Sequence, residues 1–289
     1  MGATGWRCAA SSASRCSAAR RPGCVKTLAE PLPAVLPVRH VPTARPLLWL
    51  RLGWRDLVRT PGASLLHGAL VAAGGLGITW LGARQGYVLL GAFTGFLLVA
   101  PILATGLYEL SRLLSRGEAP GVADALNAWR RGTRPLVWLG LLLGGVATAW
   151  VGASTLLFSL FVRADIHSPE AFLRYVLLEQ GDVAFTMWLA AGALGSAVVF
   201  AASAVSPPLL LGRTTGLRCA LLTSVRAVGE NPLPMALWAA IIMSAMLLSM
   251  ATLMLGFVVT IPLLGHATWH AYRDLVDTSA VPLRFPDAV

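Results

Sequence analysis

Two histidines near the carboxyl end of the chain, His266 and His270 in the segment PLLGHATWHAYRDLV, have a spacing that suits chemistry. Side chains four residues apart lie on one face of a helix, so both imidazoles can reach one metal ion or lie near a haem. Metal sites usually need three or four ligands, and hydrogen bonds to neighbouring helices would explain the pair equally well. We therefore expect His266 and His270 to form hydrogen bonds with neighbouring helices or to lie at the cytoplasmic interface, with a metal site at this pair as the alternative.

Glu109 is the acidic residue that we expect beside this pair. Eight residues separate Pro101 from Glu109, and eight separate Pro262 from His270, so the two ionisable residues hold corresponding places after a proline. Ionisable groups within membrane helices tend to pair with one another. This register predicts a buried polar pair between Glu109 and His270.

Signatures of other chemistry are weak. The four cysteines match no zinc or disulfide spacing, and no glycine cluster has the context of a phosphate-binding loop. The apolar segments contain neither a Ser-His-Asp set nor paired carboxylates. We expect a non-enzymatic protein, or one of unassigned activity, that requires no cofactor; haem or a metal is the alternative.

The elements that must position these residues are apolar helices. Five runs contain no Asp, Glu, Lys or Arg: 60–83, 85–108, 135–162, 183–212 and 231–272. Each is longer than the roughly 20 residues that a helix needs to cross a bilayer. Charged residues make up 12% of the chain and apolar residues 56%. The sequence predicts an all-α polytopic membrane bundle.

The last run sets the number of spans. As one helix, 231–272 would be roughly 63 Å long, about twice the thickness of the membrane core. Two short helices that turn near Ser249–Thr252 fit better, which gives about six spans. Both termini then lie on one side of the membrane.

The arginines are distributed unequally between the two sides of this arrangement. The side of the termini holds thirteen: Arg51, Arg55, Arg59, Arg112, Arg116, Arg130, Arg131, Arg134, Arg213, Arg218, Arg226, Arg273 and Arg284. The other side holds Arg84, Arg163 and Arg174. Because cytoplasmic loops carry the excess of Lys and Arg, we expect an inner-membrane protein with both termini in the cytoplasm.

A similar short segment precedes the first, third and fifth spans, at 50–61, 123–135 and 221–232. Each has apolar residues at helical spacing and an arginine five or six positions before a proline: Arg55, Arg130 and Arg226. Such segments are typical of interfacial helices, with arginine toward the lipid headgroups. We predict three hairpin repeats, each preceded by an amphipathic helix, and lipid-headgroup contacts at these three arginines.

Charge and proline content suggest the domain boundaries. Residues 1–46 carry seven basic residues and one acid, and five prolines follow position 30, which is typical of a disordered, basic tail. A membrane domain at 47–277 and a short tail at 278–289 complete the chain. The net charge of +10 sits in the tail and beside the spans, which favours anionic lipid over nucleic acid as the partner.

Several stretches together resemble one bacterial family of integral membrane proteins of unknown function. They are GWRDLVRTP, LVAPILATGLYELSR, ALNAWRRG, SPPLLLGR, TSVRAVGENP and PLLGHATWHAYRDLV, within residues 47–277. Members of that family are sometimes labelled putative cytochrome c oxidase subunit I, which implies haem. A complete haem–copper subunit needs about six histidine ligands. Only His67, His266 and His270 fall in or near the membrane, so this chain is not such a subunit.

Three function hypotheses remain open beside simple lipid contact. Internal repeats often enclose the site of a small-solute transporter or channel. The histidine pair suits a haem- or metal-binding accessory of a respiratory complex. A purely structural scaffold fits the same sequence.

Overall fold

The computed structural model describes residues 34–82, 100–130, 132–161 and 183–284, and within them the regular structure is helical apart from two isolated β-bridges. The helices are α1 (Arg45–Arg59), α2 (Pro61–Gly82), α3 (Thr105–Leu114), α4 (Val122–Arg130), α5 (Arg134–Phe161), α6 (Val183–Ser203), α7 (Ser206–Gly212), α8 (Leu217–Glu230), α9 (Pro232–Ala251) and α10 (Phe257–Leu275). The predicted all-α fold is confirmed.

Four helical segments of this part of the chain are long and apolar enough to cross a membrane: Pro61–Trp80, Arg134–Leu157, Phe185–Gly212 and Pro232–Ala251. Their large apolar side chains point outward in numbers that water would not tolerate, Trp80, Trp138 and Leu194 among them. The predicted helical membrane bundle is therefore confirmed. Six spans and three repeats stay predictions, because 83–99 and 162–182 lie outside the described residues.

The three predicted interfacial segments are helices, and each is followed by a proline at the start of a long apolar helix. Helix α1 precedes Pro61, α4 precedes Pro135 and α8 precedes Pro232. Proline suits the first turn of a helix because its missing N–H has no intrahelical partner there. The prolines thus separate each short amphipathic helix from the membrane helix that follows it.

The longest charge-free run forms two helices, α9 and α10, as the sequence predicts. Leu253 and Met254 have positive φ angles of 50° and 68° in the turn between them. The turn is held by Thr252, which donates its hydroxyl to the Ser249 carbonyl and accepts from the Gly256 N–H. Side-chain hydrogen bonds stabilise this turn, although no glycine occupies its left-handed positions.

Helix α10 is the centre of the bundle and contacts α1, α2, α3, α7 and α9. Most of its residues are buried, which explains why it can carry Thr, His, Trp and Tyr and yet belong to a membrane protein. Hydrophobicity is needed only where a helix faces lipid.

Glycines allow close approach to α10 at two places. A Cβ at Gly53 would lie 2.7 Å from the Ala267 backbone nitrogen, and one at Gly68 would lie 2.3 Å from the Val258 carbonyl oxygen. Both neighbours are backbone atoms that cannot rotate away. Helices α1 and α2 therefore pack against α10 at distances that only glycine permits.

The segments that flank the helices meet at one end of the bundle. Val38 forms an antiparallel bridge with Val276, and Leu36 is fully buried. The Val41 N–H donates to the side chain of Asn231, immediately before α9. Arg213, after α7, bridges to Leu283. Residues 34–44 and 276–284, which the sequence assigns mostly to its two tails, are thus packed against helix ends.

Gly68 offers a direct test of the packing between α2 and α10. We expect Gly68→Ala to lower the free energy of unfolding by about 1–3 kcal/mol, because the new methyl group overlaps the Val258 carbonyl. Gly77→Ala is the matched control in the same helix, since nothing lies within 4 Å of a Cβ there. Denaturant unfolding of both purified variants measures the effect. Equal stability of the two variants would contradict the close contact.

Candidate functional site

A buried carboxylate joins three helices at the end of the bundle where the flanking segments meet. Asp56 lies on the face of α1 that also buries Trp49 and Leu57, and it is only 2% exposed. Buried charges must be paired or hydrogen-bonded. His270 of α10 donates from Nε2 to Oδ2 of Asp56 over 2.8 Å, and Ser111 of α3 donates from Oγ over 2.9 Å.

These donors determine the charge state of Asp56. Burial disfavours the carboxylate, but the hydrogen bonds from His270 and Ser111 outweigh it and hold the pKa of Asp56 below its usual value. Asp56 is therefore ionised at neutral pH. Side chains of two other helices stabilise its negative charge by hydrogen bonds.

The hydrogen bonds continue from Asp56 into the bundle through a second, fully buried histidine. His266 lies 2.7 Å from Ser111 Oγ through Nδ1 and 2.9 Å from Ser64 Oγ through Nε2. Thr60 extends the chain, 3.1 Å from Ser64 Oγ and 3.1 Å from the backbone carbonyl of Asp56. We call Asp56, Thr60, Ser64, Ser111, His266 and His270 the buried polar network.

Counting protons fixes the direction of these bonds. Ser111 has one hydroxyl proton and gives it to Asp56, so Nδ1 of His266 must carry a proton and donate it to Ser111. In a neutral ring, Nε2 of His266 then accepts from the Ser64 hydroxyl. The donations of Ser64, His266 and Ser111 thus lead in one direction, toward the Asp56 carboxylate. The single hydroxyl proton of Thr60 goes either to Ser64 or to the backbone carbonyl of Asp56.

Glu109 and His270, predicted as a pair, take different partners. Glu109 accepts two hydrogen bonds of 2.6 Å from Arg112, one turn further along α3, and both side chains are buried. His270 pairs with Asp56. The prediction compared only how far each residue lies from a proline along the sequence. In the folded protein, each residue lies on a helix face that is next to a different partner.

The donor atoms at His266 and His270 do not resemble a set of metal ligands. Both ring nitrogens of His266 are engaged by hydroxyl groups, and Nε2 of His270 is engaged by Asp56. Within the described ranges, no group of three or more His, Cys, Asp or Glu side chains could hold a metal ion. The structural role that the sequence left open, hydrogen bonding between helices, describes the observed geometry.

A cleft of about 330 Å³ opens above the buried polar network, between α1, α3 and α10. Its lining consists of Leu52, Arg55, Asp56, Arg59, Ser111, Leu114, Ser115, His270 and Arg273. Asp56 and Ser111 are buried at the floor, whereas Arg55, Arg59 and Arg273 are exposed. The cleft is therefore rich in positive charge, with three arginines against one carboxylate that already has its own donors.

The three arginines predicted to meet lipid headgroups lie in different surroundings. Arg55 lines this cleft. Arg130 is exposed at the end of α4. Arg226 is exposed on α8 but forms an ion pair with Glu230, which offsets part of its charge. The structure does not bring the three together in one site.

Arg59, Arg273, Asp56 and Ser111 were not among the site residues predicted from the sequence. Asp56 carried a detectable signal, since an acid on the face of α1 that contains Trp49 must point into the protein. The sequence carried no signal that pairs Asp56 with Ser111 or His270, because these residues are 55 and 214 positions away in the chain.

The fold and this site define a polytopic helical membrane protein with ionisable side chains buried between its helices. Residues 88–212 match the model of a family described as a predicted integral membrane protein (DUF2189), which has no assigned function. The resemblance to an integral membrane family of unknown function is thereby confirmed, and the description carries no cytochrome c oxidase label. No curated protein and no solved structure matches the chain.

The matched range contains only part of the site. Ser111 and Leu114 of α3 and Ser115 directly after it lie within this range, whereas the cleft residues of α1 and α10 lie outside. The description assigns the family no enzymatic activity, transported solute or haem. What the site does must therefore be argued from its own geometry.

Ser111 tests whether the network stabilises the bundle. We expect Ser111→Ala to lower the free energy of unfolding by about 1–3 kcal/mol, because it leaves a donor of His266 without its acceptor and removes a donor from Asp56. Ser115→Ala is the control, since Ser115 is an exposed residue of the same region. Denaturant unfolding is the measurement; a loss no larger than that of Ser115→Ala would contradict the network's role.

Metal or haem binding at His266 and His270 stays a prediction that one comparison decides. An optical spectrum and a metal analysis are recorded on purified wild-type protein and on His266→Ala/His270→Ala. If the pair binds, the wild type contains a haem band or stoichiometric metal that the double variant lacks. A colourless, metal-free wild type would refute it.

Proposed function

We propose that this chain is a multi-pass protein of the bacterial inner membrane, non-enzymatic, that binds anionic lipid headgroups at the cytoplasmic face through its amphipathic helices. The observation that carries the proposal is the outward face of α1. Leu47, Trp54 and Val58 are 58%, 51% and 57% exposed there, although α1 is firmly packed against α10 on its other side. An exposed apolar stripe on a surface helix that leads directly into a membrane helix suits the acyl boundary.

The arginines of α1 lie beside this stripe. Arg51, Arg55 and Arg59 follow one another at every fourth position and are exposed on the flank next to Trp54 and Val58. Aromatic and apolar side chains at the acyl boundary with arginine toward the headgroups are the usual arrangement of an interfacial helix. Each base near an anionic membrane surface contributes about 1 kcal/mol to binding.

Contacts between the segments that flank the helices support a position of α1 and α8 on the same side of the membrane. The segment before α1, the residues before α9 and the residues after α10 contact one another, through Val38 with Val276 and Val41 with Asn231. The positive-inside asymmetry of the sequence makes this common side the cytoplasmic one. Helices α1 and α8 would then lie at the leaflet that contains the anionic lipids.

Neutralising one arginine on each amphipathic helix tests the proposal. We expect Arg55→Gln/Arg130→Gln/Arg226→Gln to lose the wild-type preference for phosphatidylglycerol over phosphatidylcholine, because the attraction to headgroups depends on these charges. The lipids retained by purified protein in mixed micelles are measured by mass spectrometry.

The matched control removes the same number of charges from the opposite side. Arg84→Gln/Arg163→Gln/Arg174→Gln should keep the preference for the anionic lipid, since the sequence assigns these arginines to the other leaflet. An undiminished preference in the cytoplasmic triple variant, or an equal loss in both variants, would refute the proposal.

A further inference from the structure

We infer that the cleft between α1, α3 and α10 is a binding site for a phosphomonoester, held by Arg55, Arg59 and Arg273. The inference deepens the proposed function, because it names the headgroup chemistry that one of the amphipathic helices would select. It rests on that function only for the lipid source of the phosphomonoester.

The charge of the cleft favours a dianion. Three exposed arginines line the cleft together with one carboxylate, that of Asp56, which accepts hydrogen bonds from His270 and Ser111. The three arginines and Asp56 together have a formal charge of +2. A phosphomonoester carries about −1.5 to −2 charges at pH 7, which matches that balance better than the single charge of a phosphodiester.

The ligand type follows from the arginines themselves. A guanidinium presents N–H donors in a planar fork that fits two oxygens of one phosphate, and a terminal phosphate offers three. The three arginines come from two helices, Arg55 and Arg59 from α1 and Arg273 from α10. Because the buried polar network ties these helices together, the donors are presented on a fixed frame.

The size of the cleft limits the ligand. Its volume of about 330 Å³ is at the lower end of the roughly 300–1,000 Å³ typical of small-molecule sites. It suits a phosphate with a few attached atoms, such as a glycerol phosphate group. Leu52 and Leu114 supply apolar lining beside the arginines.

The same chemistry has two possible sources. The cleft lies one residue from the start of the membrane helix α2 at Pro61, next to the exposed Trp54 and Val58, so a lipid with a terminal phosphate can reach it. Phosphatidic acid is the lipid of that chemistry, and a soluble phosphomonoester such as glycerol 3-phosphate is the other source. Two experimental arms distinguish them.

The first arm places purified protein in phosphatidylcholine nanodiscs that contain a minor fraction of either phosphatidic acid or phosphatidylglycerol. The second arm titrates glycerol 3-phosphate into protein in nanodiscs of phosphatidylcholine alone. Bound lipid is measured by native mass spectrometry, and soluble ligand by isothermal titration calorimetry. We expect saturable binding of one phosphomonoester per chain in at least one arm.

The variants separate the cleft from the rest of the basic surface. Arg59→Gln/Arg273→Gln removes two cleft arginines that the triple variant above leaves unchanged. It should weaken phosphomonoester binding by about tenfold or more. Arg134→Gln/Arg218→Gln removes two exposed arginines outside the cleft lining and away from α1, and it should leave that binding unchanged. The single variant Arg59→Gln, on an exposed side chain, covers the case in which the double variant is poorly folded.

The outcomes distinguish this inference from the proposed function. A preference for phosphatidic acid over phosphatidylglycerol that the cleft variants lose supports a lipid site. Binding of glycerol 3-phosphate without any preference for anionic lipid supports the cleft and overturns the proposed function. Equal retention of the two anionic lipids, with no binding of glycerol 3-phosphate, overturns the cleft and leaves the proposed function standing. Equal losses in the cleft and control variants also overturn it.

Discussion

The burial of one negative charge constrains the whole bundle. Asp56 is withdrawn from water between α1 and the helices packed against it, where an unpaired carboxylate would be very costly. Its hydrogen bonds come from Ser111 and His270, on two other helices. The positions of α1, α3 and α10 are therefore constrained by hydrogen-bond geometry in addition to close packing.

The central position of α10 follows from this constraint. The half of α10 nearer its carboxyl end carries the histidines of the network, and its other half meets α2 at Gly68 through backbone atoms. The last turn of the helix is fixed in addition by Asp274, to which Arg45 and Trp49 both donate. Burial opposes the ionisation of Asp274, but these two hydrogen bonds outweigh it and keep its pKa below the usual value. Polar contacts thus join α1 to α10 from the first residue of α1, Arg45, to Asp56 near its end.

The local sequence predicts the helices well, but it does not predict which side chains meet between them. The charge-free runs and the prolines at 61, 135 and 232 identify the membrane helices, since hydrocarbon leaves the backbone almost no alternative. Arg55 was predicted as a headgroup residue and lines the cleft. Arg59 and Arg273 were overlooked, because nothing local indicates that residues more than two hundred positions apart meet. Glu109 shows the same limit: its register resembled that of His270, but its carboxylate is satisfied within α3 by Arg112.

The separation in sequence of the network residues has a consequence for biosynthesis. Asp56 leaves the ribosome early, whereas His266 and His270 are among the last residues of the membrane domain to be made. Chains are synthesised from the amino end at about 5–20 residues per second, so roughly ten seconds or more separate the synthesis of α1 from that of its partner α10. During this interval Asp56 lacks its hydrogen bond from His270. The final helix therefore completes the bundle, and a chain truncated before it would leave Asp56 without the hydrogen bond from His270.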